Sequence, residues 1–253
     1  MKRTGNTRMA QLAPSEIRAM TQACAKAKGL NMAQGVCDTP VPLPVLEGAK
    51  RAMDHGFNSY TRFDGLAELR QAVAGKLARY NGIQADPETD ITVSAGATGS
   101  FHCASAALLN PGDEVILFEP YYQYHATALK SVDAVPVAVR MQPPDWTFSL
   151  DEVERAVTAR TRAIVINSPG NPSGKVFSRL ELEGIAALAT RHDLFVLPTK
   201  STSIFSMTGV STSVSRRCPA WPSGRLRSAA TPRPSASPGG ASVTVWQPSD
   251  GRI

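Results

Sequence analysis

Two short loops hold the residues of this sequence best suited to chemistry. The first is Ser94-Ala95-Gly96-Ala97-Thr98-Gly99-Ser100. Small residues between a strand and a helix leave backbone N–H groups open at the positive end of the helix dipole, an arrangement that cradles a phosphate. Gly96 and Ala97 would offer backbone donors there, and Thr98 a hydroxyl. A tight strand-to-helix turn uses the same residue types, so this loop alone does not decide. The second is Asn167-Ser168-Pro169-Gly170-Asn171-Pro172-Ser173-Gly174. Two X-Pro bonds and two glycines constrain it, and both X-Pro bonds are candidates for the cis form. Such a loop can hold the Asn171 amide in one direction, a constraint that a plain turn does not require.

Other reactive side chains point to no chemistry. His102 and His125 have no metal-like spacing and receive no role; no metal site is expected. Cys24, Cys37, Cys103 and Cys218 contain no CxxC pair. That excludes a zinc knuckle or a disulfide scaffold and fits a reducing, cytoplasmic setting. Cys37 and Cys103 read as buried small residues rather than nucleophiles. A nucleotide-binding α/β fold using Ser94 to Ser100 is an alternative, but no GxGxxG or GK[ST] pattern supports it.

Both loops need a scaffold, and the patterning supplies one. Helical spacing runs over Ser15–Lys28, Val45–His55 and Leu66–Tyr80, the last ending at Asn81-Gly82. From there strand and helix patterns alternate. Strands are expected at Ile91–Val93, Glu114–Phe118, Ala134–Val139, Ala163–Ile166 and Leu194–Leu197. Between them lie helices after Gly96, over Tyr121–Ser131, over Ser149–Val157 and from Ser178 to Arg191. The last two open on the capping-box patterns Ser149-x-x-Glu152 and Ser178-x-x-Glu181. This alternation argues an α/β fold with a mostly parallel sheet, whose ligands sit at the carboxyl ends of strands. Both loops directly follow strands.

The composition, 42% hydrophobic and 19% charged over 253 residues, is that of a globular chain with a real core. No apolar run is long enough to span a bilayer, and no secretory signal pattern opens the chain. A net charge of +6 would suit a nucleic-acid partner. The charge is not spread over the chain, however. Residues 198–253 hold seven basic residues against one acidic, whereas the first 197 balance at twenty each. The same tail has twelve Ser, seven Pro and no apolar periodicity, so it is expected to be disordered. Nucleic acid is an unlikely partner, because only Trp221 and Trp246 could stack on bases in its arginine-bearing part.

The ordered motifs resemble those of the fold-type I, pyridoxal-phosphate-dependent aminotransferases of class I and II. Asn167 to Gly174 resembles the family's NxPxNPTG signature. Gln34-Gly35 with Pro40 resembles its GxPxxxxP segment. Tyr60-x4-Gly65-x3-Leu69-Arg70 resembles YxxxxGxxxLR, Ser94 to Thr98 the phosphate loop, and Glu119-Pro120-Tyr121-Tyr122-x-Tyr124 the xPxYxxY stretch, with its second tyrosine one residue early. The resemblance covers Ser15 to Leu197. It implies a three-layer αβα large domain at 41–197, preceded by an N-terminal arm and helix at 1–40. It implies pyridoxal 5'-phosphate as cofactor, an amino acid and a 2-oxo acid as substrates, and a homodimer. Gly96, Ala97 and Thr98 would bind the cofactor phosphate, Tyr122 would stack on its ring, and Asn171 would bond its phenolic oxygen. Tyr60 would reach the cofactor of the neighbouring subunit, and Gly35 would let backbone approach the substrate carboxylate.

The resemblance stops where the chemistry should culminate. The family continues with DExY at the end of a strand and then SxSKxxxxxGxRxG, which bring the pyridinium carboxylate, the Schiff-base lysine and an arginine. Here Leu194–Leu197 is followed by Pro198-Thr199-Lys200-Ser201. Lys200 stands where the family has its carboxylate and is not assigned as the Schiff-base residue, so no catalytic residue is named. The genetic code suggests the reason. Reading the third base of each tail codon with the first two of the next permits DEVYEHLFYDG from Pro198, PGMAERTLTI from Cys218 and GSYSKTFSITGWRIGYCVA from Ser228. Both missing motifs thus fit one constant frame over some fifty positions. A frameshift near Leu197 is the expectation, giving an incomplete large domain, no C-terminal small domain, weak or no cofactor binding, a doubtful homodimer and poor solubility. A catalytically dead cofactor-binding or dimer-interfering fragment is the alternative.

Overall fold

The computed structural model describes residues 12, 15–32, 34, 40–199, 227–230 and 242–245. They fall in two compact units, divided between Ser59 and Tyr60. The first holds α1 (Glu16–Lys26) and α2 (Leu43–Asp54), neither with a buried residue. Within it the Asn31 amide donates to the Thr21 hydroxyl at 3.1 Å.

The second unit carries α3 (Ala67–Lys76), which closes through a π turn at Leu77–Asn81 on Gly82. Next come β1 (Ile91–Ser94), α4 (Gly96–Leu108), β2 (Glu114–Glu119), α5 (Gln123–Ser131) and β3 (Val135–Arg140). Then follow α6 (Leu150–Arg155), β4 (Thr161–Asn167), α7 (Arg179–Arg191), β5 (Phe195–Thr199), β6 (Arg227–Ala230) and β7 (Ser242–Val245). The capping box expected at Ser178 is complete, with Glu181 returning to the Ser178 backbone. The one expected at Ser149 is not formed: its hydroxyl accepts from the Asp151 N–H, one residue short of Glu152.

Strands β3, β2, β4 and β5 form one sheet in that order, parallel throughout. Its two faces separate by residue parity. Ile116, Phe118, Ile164, Ile166 and Val196 pack with Val153 of α6 and with Leu182, Ile185 and Leu188 of α7. Val115, Leu117, Ala163, Val165 and Leu197 pack with Phe101 of α4 and with Ala126 and Leu129 of α5. A sheet buried on both faces needs apolar residues at every position, which explains the unbroken runs Val115–Phe118 and Ala163–Ile166. The result is an αβα sandwich, the fold expected of the large domain.

Beyond Leu197, where a disordered tail is expected, strand backbone is present at three places. β5 runs two residues past Leu197, to Thr199. β6 and β7 pair with each other antiparallel, and β7 pairs antiparallel with β1, Ile91 facing Val245. The rest of the tail lies outside the described residues. β6 runs beside β5 but shares no ladder with it. The Ser168 N–H donates to the Thr199 carbonyl at 3.3 Å, so Thr199 presents its backbone groups to β4. Its predecessor Pro198 faces the opposite way, and proline has no N–H to give. Thr199 shows a second misfit: its hydroxyl is the one buried side-chain polar atom among the described residues without a hydrogen-bond partner.

At the amino ends of β2 and β4, Glu114 is buried beneath Thr158 and Arg160. It accepts from the Thr158 hydroxyl at 2.6 Å and from the Arg160 guanidinium at 2.9 and 2.5 Å. The Thr158 hydrogen bond and then that of Arg160 hold its carboxyl below the usual carboxylate range. A depressed carboxylate contributes stability that is whole above its unfolded pKa of about 4.3 and is lost as pH falls through the lower folded value. Glu114→Ala should therefore cost about 1–3 kcal/mol at pH 7. In denaturant titrations the gap from the parent should narrow below pH 4; a gap independent of pH would contradict the assignment.

Candidate functional site

The three sequence-marked loops follow β1, β2 and β4. β1 ends at Ser94, and α4 begins at Gly96, whose φ of +74° suits glycine. Ala95 is the N-cap and gives no side-chain hydrogen bond to the first turn. The open N–H groups of that turn remain available to an anion. Ser94 and Ser100 join their hydroxyls beneath the loop, while Ala97 and Thr98 face solvent. This donor set, uncapped N–H groups with one exposed hydroxyl, fits a phosphate.

The segment before β1 is fixed by a buried arginine. Arg70 is fully buried and donates to the Gly65 carbonyl at 3.3 Å, to Glu88 at 3.2 Å and to the Pro87 carbonyl. Gly65 has φ +101°, and a Cβ there would stand 2.7 Å from Val93 of β1. Its carbonyl neighbour Asp64 accepts from the Val93 N–H at 3.0 Å. Gly65 and Arg70 of the YxxxxGxxxLR pattern thus lock the approach to the cradle strand.

β2 leads through the cis Glu119-Pro120 bond to Tyr121 and Tyr122. Tyr122 is the half-buried residue preceding α5; its ring centroid lies 5.1 Å from Tyr124 and 5.5 Å from His125. β4 leads to the NPSG loop, where both expected X-Pro bonds are cis. The Gly174 N–H donates to Gly170 at 2.7 Å and the Gly170 N–H to Lys175 at 2.8 Å, closing the loop on itself. Asn171 stands exposed at its tip. Because β2 and β4 pair in parallel, their loops emerge at one edge. They meet around a cavity of about 20 Å³ lined by Tyr121, His125, Asn167, Gly170, Lys175 and Phe177. Lys175 is turned to Glu181, at 2.7 Å.

The cradle joins this edge through α4. Phe101, one turn beyond Thr98, packs its ring 4.7 Å from His125, which contacts Tyr122. Gly96, Ala97, Thr98, Tyr122 and Asn171 therefore belong to loops on one linked framework. Tyr60 does not join them; its side chain is fully exposed. Gly35, Cys37 and Lys200 lie outside the described residues. Cys103 is exposed, against the expectation of burial, because its position on α4 turns away from the Phe101–Ala104–Ser105 face that packs inward.

His125 is the residue that sequence reasoning passed over. The available signal was its spacing of three from Tyr122, which places neighbours on one helical face. It is 7% exposed, and burial pushes its imidazole down to about 4. The folded state keeps it neutral while the unfolded chain takes up a proton below about pH 6.5, so stability falls as pH drops from 6.5 towards 4. The cost is up to about 1.4 kcal/mol per pH unit in that window. His125→Phe should remove this acid-sensitive component in melts between pH 7.5 and 4.5; an equally steep profile would contradict it.

The family model for aminotransferase class I and II matches residues 27–198. A probable N-succinyldiaminopimelate aminotransferase of Mycobacterium tuberculosis is 37% identical over 193 residues, 76% of this chain and 49% of the relative. Aromatic-amino-acid aminotransferase 2 of Thermococcus litoralis is 35% identical over 205 residues, 80% of this chain and 53% of the relative. The chain thus spans about half the length of these curated relatives. The solved N-succinyldiaminopimelate aminotransferase of M. tuberculosis superposes with a TM-score of 0.84 at 30% identity, over 98% of this chain and 65% of that one. Aspartate aminotransferase from Thermus thermophilus with maleate gives 0.86 at 27% identity, over 98% and 66%. Among the described residues no helix is long and apolar enough to cross a membrane.

Proposed function

The chain belongs to the class I and II aminotransferases, and we propose that it carries the cofactor-binding half of a transaminase whose catalytic continuation is written out of phase. The parent reaction would move an amino group from an amino acid to a 2-oxo acid. Pyridoxal phosphate, when bound, supplies the electron sink for that chemistry. In this chain the first turn of α4 with Thr98 would hold its phosphate. Tyr122 would cover one ring face, and Asn171 would bond the phenolic oxygen. Tyr60, fully exposed, has the outward position that a residue serving a neighbouring subunit would need.

The observation that carries this reading is the point where the likeness ends. The family match stops at residue 198, and the shifted frame offers the family's next motif from the same residue. Three positions leave the code no freedom there. Met207 before Thr208 forces Asp, Trp221 before Pro222 forces Ala, and Trp246 before Gln247 forces Ala. They fix one residue in each of DEVYEHLFYDG, PGMAERTLTI and GYCVA. The lysine of the shifted frame spans the codons of Pro232 and Arg233, just after β6.

Without that lysine and the carboxylate, only non-covalent contacts remain, and no turnover is expected. Expression of this chain beside the single-base-restored gene tests the reading. After borohydride treatment with pyridoxal phosphate, the restored protein should carry cofactor on the lysine encoded across codons 232 and 233, and should transaminate. This chain should do neither. A site-specific, reducible cofactor link on a lysine of this chain, or an inactive restored protein, would overturn the proposal.

A further inference from the structure

The structure points to His125 as a positioning residue: we propose that it ties the ring of Tyr122 to the helix bearing the phosphate cradle, so that a ligand's ring and phosphate are held at one spacing. The inference rests on the proposed roles of Tyr122 and of the α4 amino end. A phosphorylated aromatic ligand is rigid between its two ends. The loop after β1 and the loop after β2 must therefore keep a fixed distance, although they belong to different elements. Their side-chain link is a chain of three rings. Phe101, 2% exposed, sits one turn below Thr98 on α4. Its centroid is 4.7 Å from that of His125, tilted by 45°. His125 meets Tyr122 edge to face at 5.5 Å and 77°, a favoured geometry between rings. The backbone fixes the same pair, the His125 N–H donating to the Tyr122 carbonyl at 2.9 Å. The second ring neighbour of Tyr122, Tyr124, is only half-buried and lies on the same turn, so it gives no reference to α4. His125 is buried, and its neutral imidazole packs here as an aromatic plate.

Equilibrium dialysis of the full chain against pyridoxal phosphate, and separately against inorganic phosphate, separates positioning from general structure. His125→Ala should weaken pyridoxal phosphate binding roughly three- to tenfold and leave inorganic phosphate unchanged. His125→Leu, which fills the volume without a ring, should behave like the alanine variant and decides the matter should the alanine variant fail to fold. His125→Phe should restore parental binding. Tyr122→Ala should weaken pyridoxal phosphate alone, and adding H125A to it should cause no further loss. Equal weakening of both ligands by His125→Leu, additive effects, or failure of the phenylalanine rescue would overturn the positioning role. Tyr122→Ala without effect, or no saturable binding of pyridoxal phosphate by the chain, would overturn the proposed roles of Tyr122 and of the α4 amino end, and this inference with them, while leaving the frameshift reading untouched.

Discussion

The parallel ladder of β2 with β4, buried on both faces, is the constraint on which the rest of the second unit depends. Parallel strands send all their carboxyl ends to one edge, so the Tyr122 and Asn171 loops emerge side by side. Burial on both faces forces the apolar runs Val115–Phe118 and Ala163–Ile166. It also requires helices above and below, which α6 and α7 supply on one face and α4 and α5 on the other. Ile164 and Ile166 are almost wholly enclosed. Truncating either to alanine removes contacts worth about 2–5 kcal/mol, so the loops cannot shift without disrupting the core beneath them.

α4 does two jobs that a less constrained helix could not combine. Its amino end carries no side-chain cap, Ala95 being the N-cap residue. Its inner face is committed to the sheet through Phe101, Ala104 and Ser105. The small residues Gly96, Ala97 and Gly99 keep the open end unobstructed, and the large Phe101 appears only one turn further in. A polar N-cap side chain would stabilise the helix more, by about 1 kcal/mol, but would occupy the same N–H groups.

How much of this was legible in the sequence follows from the range of the forces involved. The strands and helices from β1 to β5 could be read, because burial by parity and helical spacing are local signals. The Ser178 capping box was legible for the same reason, whereas the identical pattern at Ser149 is realised only by its hydroxyl on Asp151. His125 was not legible as a site residue. Its meaning depends on Phe101, which is distant in sequence and is brought close only by the packing of α4 on α5. Arg70 belonged to a recognisable pattern, but its partners Pro87 and Glu88 are again tertiary. β6 (Arg-Ser-Ala-Ala) shows no strand alternation of its own, and the alternation of β7 (Ser-Val-Thr-Val) is only four residues long within a Ser/Pro/Arg-rich stretch, too short a signal to be read by itself.

Local and global signals agree along the second unit until Leu197 and then part company within two residues. Val196 and Leu197 point to opposite buried faces as a core strand requires. Pro198 then removes a backbone donor on the side away from β4, and Thr199 buries a hydroxyl with no partner. Each defect alone is tolerable in a native protein; their adjacency is not what a strand selected for this place would show. The same boundary separates a charge-balanced body from a tail with seven basic residues and one acidic. It also ends the family match. Backbone chemistry, charge balance and family likeness thus all change within a few residues of Leu197, inside a core strand rather than at the edge of a domain.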